Sequence, residues 1–335
     1  MRAFRREAVD RLPAQTNYTP AMGVKLAAYF QIPIEELPAR LDNHLVRVDL
    51  EHERRASADG RTRYDWWGAG WSTETEGYWH AFSPLAQSED LDGVAWPDPL
   101  APPLMDEARA TVADRGAEYF VAPNLGMCLF ERAWSLRGFD RLLVDFADRP
   151  EWVEELLERI TDIQAVLIRR YIEAGVDGGY FGDDYGAQRS MLFSPRLWRR
   201  MFKPRLARMF EPFCAAGRPV ILHSDGDIRA ILPDLVEIGV TVLNPVQPEV
   251  LEPAWLEKEY GERLAFYGGI STQGVLRSGT REEVKAAVEA CRRTLARRGT
   301  GLMIGPSHRM QSDIPGENVE AMLEAFPKDD GGAAR

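Results

Sequence analysis

The chain has 335 residues, 45% hydrophobic and 28% charged, with 41 Lys and Arg against 52 Asp and Glu for a net charge of −11. These proportions specify a soluble globular protein, and the acidic balance argues against nucleic acid, whose capture by counterion release needs a basic surface, and against anionic membranes. Net charge does not exclude a small anionic substrate, which feels local arginines instead.

The length suits either two domains or one large α/β barrel. Cys128, Cys214 and Cys291 are far apart with no C-x-x-C pair, which excludes a disulfide framework and a structural zinc knuckle. The opening "MRAFRREAVDRLPAQ" has basic residues but no apolar run after them, so no signal peptide is expected. No stretch approaches the roughly 18 apolar residues of a membrane span. The expected compartment is a reducing cytosol.

"HLVRVDLE" and "EYFVAPNLG" read as two strands, and a further strand is expected before Leu41. Between them, residues 54–103 are rich in Trp, Tyr, Gly and Pro ("YDWWGAGWSTETEGYWHAF", then "WPDPLAPP"). This stretch reads as a long irregular insertion, either a lid or specificity element or a flap covering one end. Its aromatics Trp66, Trp67, Trp71, Tyr78 and Trp79 are expected to pack over the mouth or into a partner chain.

Beyond Glu151 the pattern is regular. "PEWVEELLERITDIQAVLIRRYIEAG" has helical apolar spacing and a glycine stop at Gly175. A strand, "VDGGYFGDD", follows. In the next helix, "SPRLWRRMFKPRLARMFEPFCAAG", Ser194 and Pro195 supply the N-cap and first turn, Pro204 predicts a kink, and Cys214 is expected to face the core. Then come "RPVILHSDG" (strand), "DIRAILPDLVEIG" (helix), "VTVLNP" (strand), "EPAWLEKEYG" (helix), "RLAFYGGIS" (strand), "TREEVKAAVEACRRTLARRG" (helix), "GLMIGPS" (strand) and "PGENVEAMLEAF" (helix). Alternation of this kind implies a parallel sheet covered by helices. Counting the expected early strand gives eight units, hence a single-domain (β/α)8 TIM barrel. An open doubly wound sheet is the alternative, but no G-x-G-x-x-G loop follows any strand.

In such a barrel the C-terminal strand ends converge on the catalytic mouth. They deliver Asp49; Asn124; Asp183, Asp184 and Tyr185; His223, Asp225 and Asp227; Asn244, Gln247 and Glu249; Gly268, Gly269, Ser271 and Thr272; and Ser307, His308 and Arg309. Asp227 is expected to cap the helix starting near Ile228, and one of Asp183 and Asp184 to cap a turn. Gly268 and Gly269 would let another backbone approach closely. His44, His52 and His80 receive no role.

"GDDYGAQRSMLFSPRLWRRMFKPRLARMF", "HSDGDI", "LVEIGVTVLNPVQPE", "FYGGISTQ" and "PSHRMQSDIPGENV" resemble the uroporphyrinogen decarboxylase superfamily. The resemblance spans Asp177 to Phe326 and continues upstream through "NLGMCLFERAWSLRGFDRLLVDF" and "LDNHLVRVDL". It implies a (β/α)8 barrel and one of two chemistries: cofactor-free decarboxylation of porphyrinogen acetates, or corrinoid-linked methyl transfer to a thiol on a zinc held by His-x-Cys and a distant Cys. Members are often dimers, so a homodimer is expected, and the methyl-transfer branch implies a corrinoid protein as partner.

The chain departs from both branches. Where the decarboxylases carry an arginine-bearing "R-x-P-x-W-x-M-R-Q-A-G-R", it has "RLPAQTNYTPAMG". Asp49 matches the decarboxylase aspartate that binds pyrrole nitrogens, and His308 the histidine of an L-G-H-G-type motif. Relative to the methyltransferases, His223 remains while Asp225 and His308 stand at the two cysteine positions. Two imidazoles and a carboxylate are ordinary ligands for zinc, or for a harder divalent metal. The first reading is therefore a methyltransferase-like enzyme with a metal at His223, Asp225 and His308. Asp183 and Asp184 would serve as acid and base, since two close carboxylates split their pKa values, or as a further ligand. Tyr185 and Asn244 would orient substrate, and Asn124, Gln247, Arg189 and Arg309 would contact it. The second is a metal-free decarboxylase with Asp49 as anchor and His308 as proton donor. The third is a non-catalytic subunit that binds a ligand or a corrinoid protein. Ligation at about 2.0–2.2 Å requires the three ligand atoms to lie within roughly 3–4 Å of one another.

Overall fold

The structure, a computed structural model, describes residues 1–77 and 79–326. Its strands are β1 (Leu45–Val48), β2 (Arg55–Ala56), β3 (Thr62–Tyr64), β4 (Gly70–Ser72), β5 (His80–Phe82), β6 (Phe120–Gly126), β7 (Gly179–Gly182), β8 (Val220–His223), β9 (Val242–Val246), β10 (Ala265–Ile270) and β11 (Leu302–Pro306). Seven of them form one parallel sheet in the order β1-β6-β7-β8-β9-β10-β11. The expected early strand is reduced to one residue. Ala14 bridges Asn43 beside β1 and Ile304 in β11, with Gln15 N donating to Ile304 O at 3.0 Å and His44 N to Ala14 O at 3.2 Å. The two edges of the sheet are thus joined through Ala14, and among the described residues the parallel sheet has seven regular strands where eight were expected.

The strands alternate. Val220, Leu222, Phe181, Leu243, Phe266 and Ile304 point outward into the layer shared with the helices. Leu45, Phe120, Ala122, Tyr180, Ile221, Val242, Ala265, Tyr267 and Met303 form a separate inner cluster, closed by Phe4. Phe4 lies edge-on to Phe120 at 5.2 Å, and its neighbours Arg5 and Arg6 donate to Gly217 O and Arg263 O, which precede β8 and β10. The N-terminal turn therefore plugs the end where the strands begin. The opposite end, where the strands finish, is left for chemistry.

The helical reading holds in detail at several places. The helix Pro150–Glu173 is present, Ser194 caps the next one through Leu197 N, and that helix breaks at Phe202 into Pro195–Met201 and Lys203–Ala215, as a proline at 204 dictates. Two expectations need correction. The helix after β8 runs only Leu232–Glu237, because the Asp227 carboxylate accepts from Arg229 N (3.1 Å) and Nε (2.9 Å) and closes a turn instead of capping a helix at Ile228. Cys214 is exposed, not buried, because its neighbour Phe213 takes the inward position. Gly268 and Gly269 have φ of +113° and +98°; a Cβ on Gly268 would come within 3.2 Å of Val246 N, the expected backbone approach, whereas at Gly269 the close neighbour is a side chain, Cys291 Sγ at 2.4 Å.

Residues 54–103, expected to be irregular, contain the antiparallel sheet β2-β3-β4-β5. Glycines at φ +72° (Gly60) and +85° (Gly68) make its turns, and Asp65 organises the second by accepting from Trp67 N and Ala69 N at 3.0 Å. The same carboxylate meets Arg132 at 2.5 Å, and His80 Nε2 meets Ser135 O at 2.9 Å, tying the sheet to the helix Phe130–Arg137. Trp71 lies 6.0 Å from Trp134, while Trp66 and Trp67 pack against the main core. Trp79 is 61% exposed, and Tyr78 falls outside the described residues.

Glu76 fastens the far edge of the insertion to the mouth. Its carboxylate accepts from Thr19 Oγ1, Ser312 N (3.0 Å) and Ser312 Oγ (2.6 Å). Glu76→Ala removes all three bonds. Limited proteolysis should then cut residues 57–77 at least several-fold faster than in the parent protein, and equal cleavage rates would show that this clamp does not hold the insertion down.

Candidate metal centre at the strand ends

Alternation decides what reaches the mouth. His223 is the last residue of β8 and faces inward with Ile221 two residues below it. Its register partner on β7 is Gly182, and on β9 it is Asn244, so glycine leaves the ring room while asparagine supplies a partner. Asn244 is buried. Its Nδ2 donates to Tyr267 O at 3.3 Å, which turns its Oδ1 toward His223 Nδ1 at 2.7 Å and toward the Tyr180 hydroxyl at 2.7 Å. An amide oxygen only accepts, so the His223 nitrogen that donates here is Nδ1, and Nε2 is the nitrogen turned toward the mouth. His308 Nδ1 is placed likewise on Arg309 O at 3.3 Å, leaving its Nε2 toward the site.

Both Nε2 atoms face Asp225. His308 Nε2 lies 3.4 Å from Asp225 Oδ2 and His223 Nε2 lies 3.9 Å from Asp225 Oδ1. Each of the three residues offers a ligand atom within 4.8 Å of the others. Tetrahedral zinc with bonds near 2.1 Å holds its ligands about 3.4 Å apart, so small side-chain rotations would close the set. Asp184 Oδ1 stands 3.9 Å from His223 Nε2 and accepts the Asp225 amide hydrogen at 2.8 Å. Burial raises the Asp184 pKa, against the lowering pull of His223. The donor set therefore fits a divalent metal: two imidazoles, each oriented by an acceptor behind it, and a carboxylate.

Not every strand-end residue joins this group. Asp183 is fully buried and accepts from Glu131 N (2.7 Å), Phe130 N (2.8 Å) and the Tyr185 hydroxyl (2.5 Å). It holds the start of the helix Phe130–Arg137. Burial pushes its pKa up to about 6, against the pull of those three donors. Tyr185 is also fully buried, its hydroxyl spent on Asp183. Asp183 and Tyr185 thus lie behind the mouth, not in it. Gln247 is buried beside Gly226 N, Arg189 is exposed in the loop after β7, and Asp49 takes an amide hydrogen from Asn124 at 2.8 Å. Glu249 accepts from Ser271 Oγ, and Ser307 Oγ from Thr272 N at 3.1 Å, both holding loops together.

Three site residues escaped the sequence reading. Tyr180 and Arg47 sit one inward position below the strand ends, where only alternation along the whole strand would have found them. Glu131 lies in the first turn of the helix that Asp183 anchors. Burial first, then Asp184 and Asp183, push its carboxyl well above the usual range. "NLGMCLFERAW" placed it in sequence, but nothing in that stretch brings it to Asp184.

The family profile of uroporphyrinogen decarboxylase (URO-D) matches residues 84–328. Uroporphyrinogen decarboxylase of Thermus thermophilus is 29% identical over 173 residues, 50% of this chain and 46% of that protein, so the match spans about half of this curated relative. A methyltransferase from Methanosarcina mazei superposes with a TM-score of 0.72, covering 97% of this chain and 96% of its own at 18% identity, a likeness of fold.

Asp183→Ala strips an acceptor from two amides and a buried hydroxyl, and should cost about 3 kcal/mol or more in urea unfolding, whereas Tyr185→Phe should cost about 1–2 kcal/mol. Equal stability of Asp183→Ala and the parent would remove the anchoring role.

Proposed function

The chain belongs to the uroporphyrinogen decarboxylase family, and from that premise we propose that it is a metal-dependent, methyltransferase-like enzyme acting on a small polar substrate at the C-terminal ends of its strands. The observation that carries this reading is the convergence of His223 Nε2, His308 Nε2 and the Asp225 carboxylate, with both imidazole protons directed away. A divalent ion held by these three residues would supply electrophilic stabilisation to the acceptor's deprotonated form.

The chain's own groups do the rest. Asp184, beside His223, would take the proton that the acceptor gives up as it receives the methyl group. Asn244 and Tyr180 keep the His223 ring in its ligating tautomer. Asn124 and Arg309 would contact substrate. Asp183 and Tyr185 serve as scaffold in this reading. The methyl donor would be a corrinoid protein, and a homodimer is the expected assembly. The active compartment would be the cytoplasm; no described helix is long and apolar enough to cross a membrane.

A metal-free decarboxylase is the second reading, favoured by Asp49 standing beside Asn124 at 2.8 Å. It would use Asp49 as anchor and His308 as proton donor. The segment "AQTNYTPAMG", where arginines would hold a substrate of many carboxylates, carries no positive charge.

The experiment combines metal content with two assays. The parent protein should bind about one Zn2+ per chain. His223→Ala and His308→Ala should weaken binding at least a hundredfold, and Asn244→Ala, which frees the His223 ring, about 10- to 100-fold. Loaded protein should demethylate methylcobalamin with a small thiol as acceptor. Under anaerobic conditions it should leave uroporphyrinogen unchanged. A protein without stoichiometric metal that converts uroporphyrinogen to coproporphyrinogen would replace this reading with the second.

A further inference from the structure

Between the N-terminal segment and β1 lies a cavity of about 410 Å³ whose wall includes Asn17, Arg47, Asp49, Arg115, Asn124 and Arg309, the last following His308 directly in the chain. Its size suits a small molecule. Its charge runs against that of the protein: three arginines and one aspartate line it, in a chain of net charge −11. The lone carboxylate, Asp49, already takes the Asn124 amide. Arg115 lies over the Tyr119 ring at 4.1 Å, on the outer side.

Arg47 differs from an ordinary surface arginine. By the alternation of β1 it faces the interior, half-buried, with its guanidinium 4.8 Å from the centre of the Tyr180 ring. The hydroxyl of that same tyrosine lies 2.7 Å from Asn244 Oδ1 and 3.3 Å from His223 Nδ1. One aromatic ring therefore separates the Arg47 guanidinium from the metal-facing histidine. Arg309 approaches from the other side, directly after His308, and its charge also bears on Tyr180. The Asn17 amide is directed to the Tyr267 hydroxyl at 2.7 Å and forms part of the same wall.

A low-dielectric recess lined by fixed positive groups concentrates anions. Guanidinium groups match the two oxygens of a carboxylate or phosphate in a fork-to-fork geometry.

Taking the proposed reaction centre as given, we propose that this cavity is an oxyanion subsite, in which Arg47 and Arg309 hold the carboxylate or phosphate of a small acidic substrate while its reacting group extends past Tyr180 to His223, Asp225 and His308. The cations are part of β1 and the loop after β11, not of the N-terminal segment. Anchoring one end of the substrate fixes the other against the site, as positional catalysis requires.

Calorimetry on the full chain tests this with two probes, inorganic phosphate and succinate, in separate titrations, alongside Zn2+ uptake. One of the two should bind the parent protein at one per chain, and which of them binds tighter identifies the substrate's group as phosphate or carboxylate. Arg47→Gln and Arg309→Gln should each weaken that binding about tenfold or more, with Arg47→Lys intermediate, and Zn2+ uptake should be unchanged. The melting temperature is recorded for each variant, and Arg309→Gln, which alters a loop and not a strand, stands even if Arg47→Gln folds poorly. Failure of both anions to bind the parent, or parent-like binding by Arg309→Gln, overturns the subsite. Loss of Zn2+ binding in the parent with anion binding intact overturns the metal reading and leaves the subsite standing.

Discussion

A parallel strand can send only every second side chain inward, and the whole site is built on that limit. On β8 the parity that buries Ile221 in the inner cluster also delivers His223 to the mouth. On β9 the parity that buries Val242 delivers Asn244. The two meet because His223 and Asn244 are register partners. A shift of one residue in β8 would bring Leu222 inward and leave the imidazole in the helical layer, and one in β9 would do the same with Leu243 and the Asn244 amide. The hydrophobic inner cluster therefore does more than stabilise the fold, since its register is also the register of His223 and Asn244.

The acids at the mouth illustrate how burial sorts chemically identical groups. Asp183 and Asp184 are adjacent, yet successive residues point to opposite sides. Asp183 turns back to hold two backbone amides and a phenol, while Asp184 holds the Asp225 amide and faces His223. One carboxylate becomes scaffold and the other becomes available. The helix that Asp183 anchors in turn carries Glu131 to the site and Arg132 to Asp65. A single buried carboxylate thereby links the centre to the aromatic insertion.

That insertion is fastened at two places by different means. Near the helix Phe130–Arg137 it is held by a largely buried Arg132–Asp65 pair and by rings packed around Trp134. At the opposite edge it is held by Glu76 on Thr19 and Ser312, which follow the Ala14 bridge and β11. The loops at the strand ends and the insertion are therefore hydrogen-bonded together, even though the insertion contributes none of His223, Asp225 and His308.

The sequence by itself determined the alternating parallel architecture, the break before Pro204, and His223, Asp225 and His308 as a group, because apolar period, proline and the residues that end each strand are local signals. It placed the eighth strand before Leu41 but not its reduction to Ala14, since a single bridging residue leaves no periodic pattern. It missed Arg47 and Tyr180, whose importance comes from the layer they occupy, and Glu131, which only the Asp183 anchor brings near Asp184. It assigned Cys214 to the core and a helix to residues 227–239, where packing of Phe213 and the Asp227–Arg229 turn decided otherwise. Tertiary structure alone fixed which nitrogen of His223 faces the mouth, because that depends on Asn244 being oriented by the Tyr267 carbonyl, a contact across strands that no stretch of sequence records.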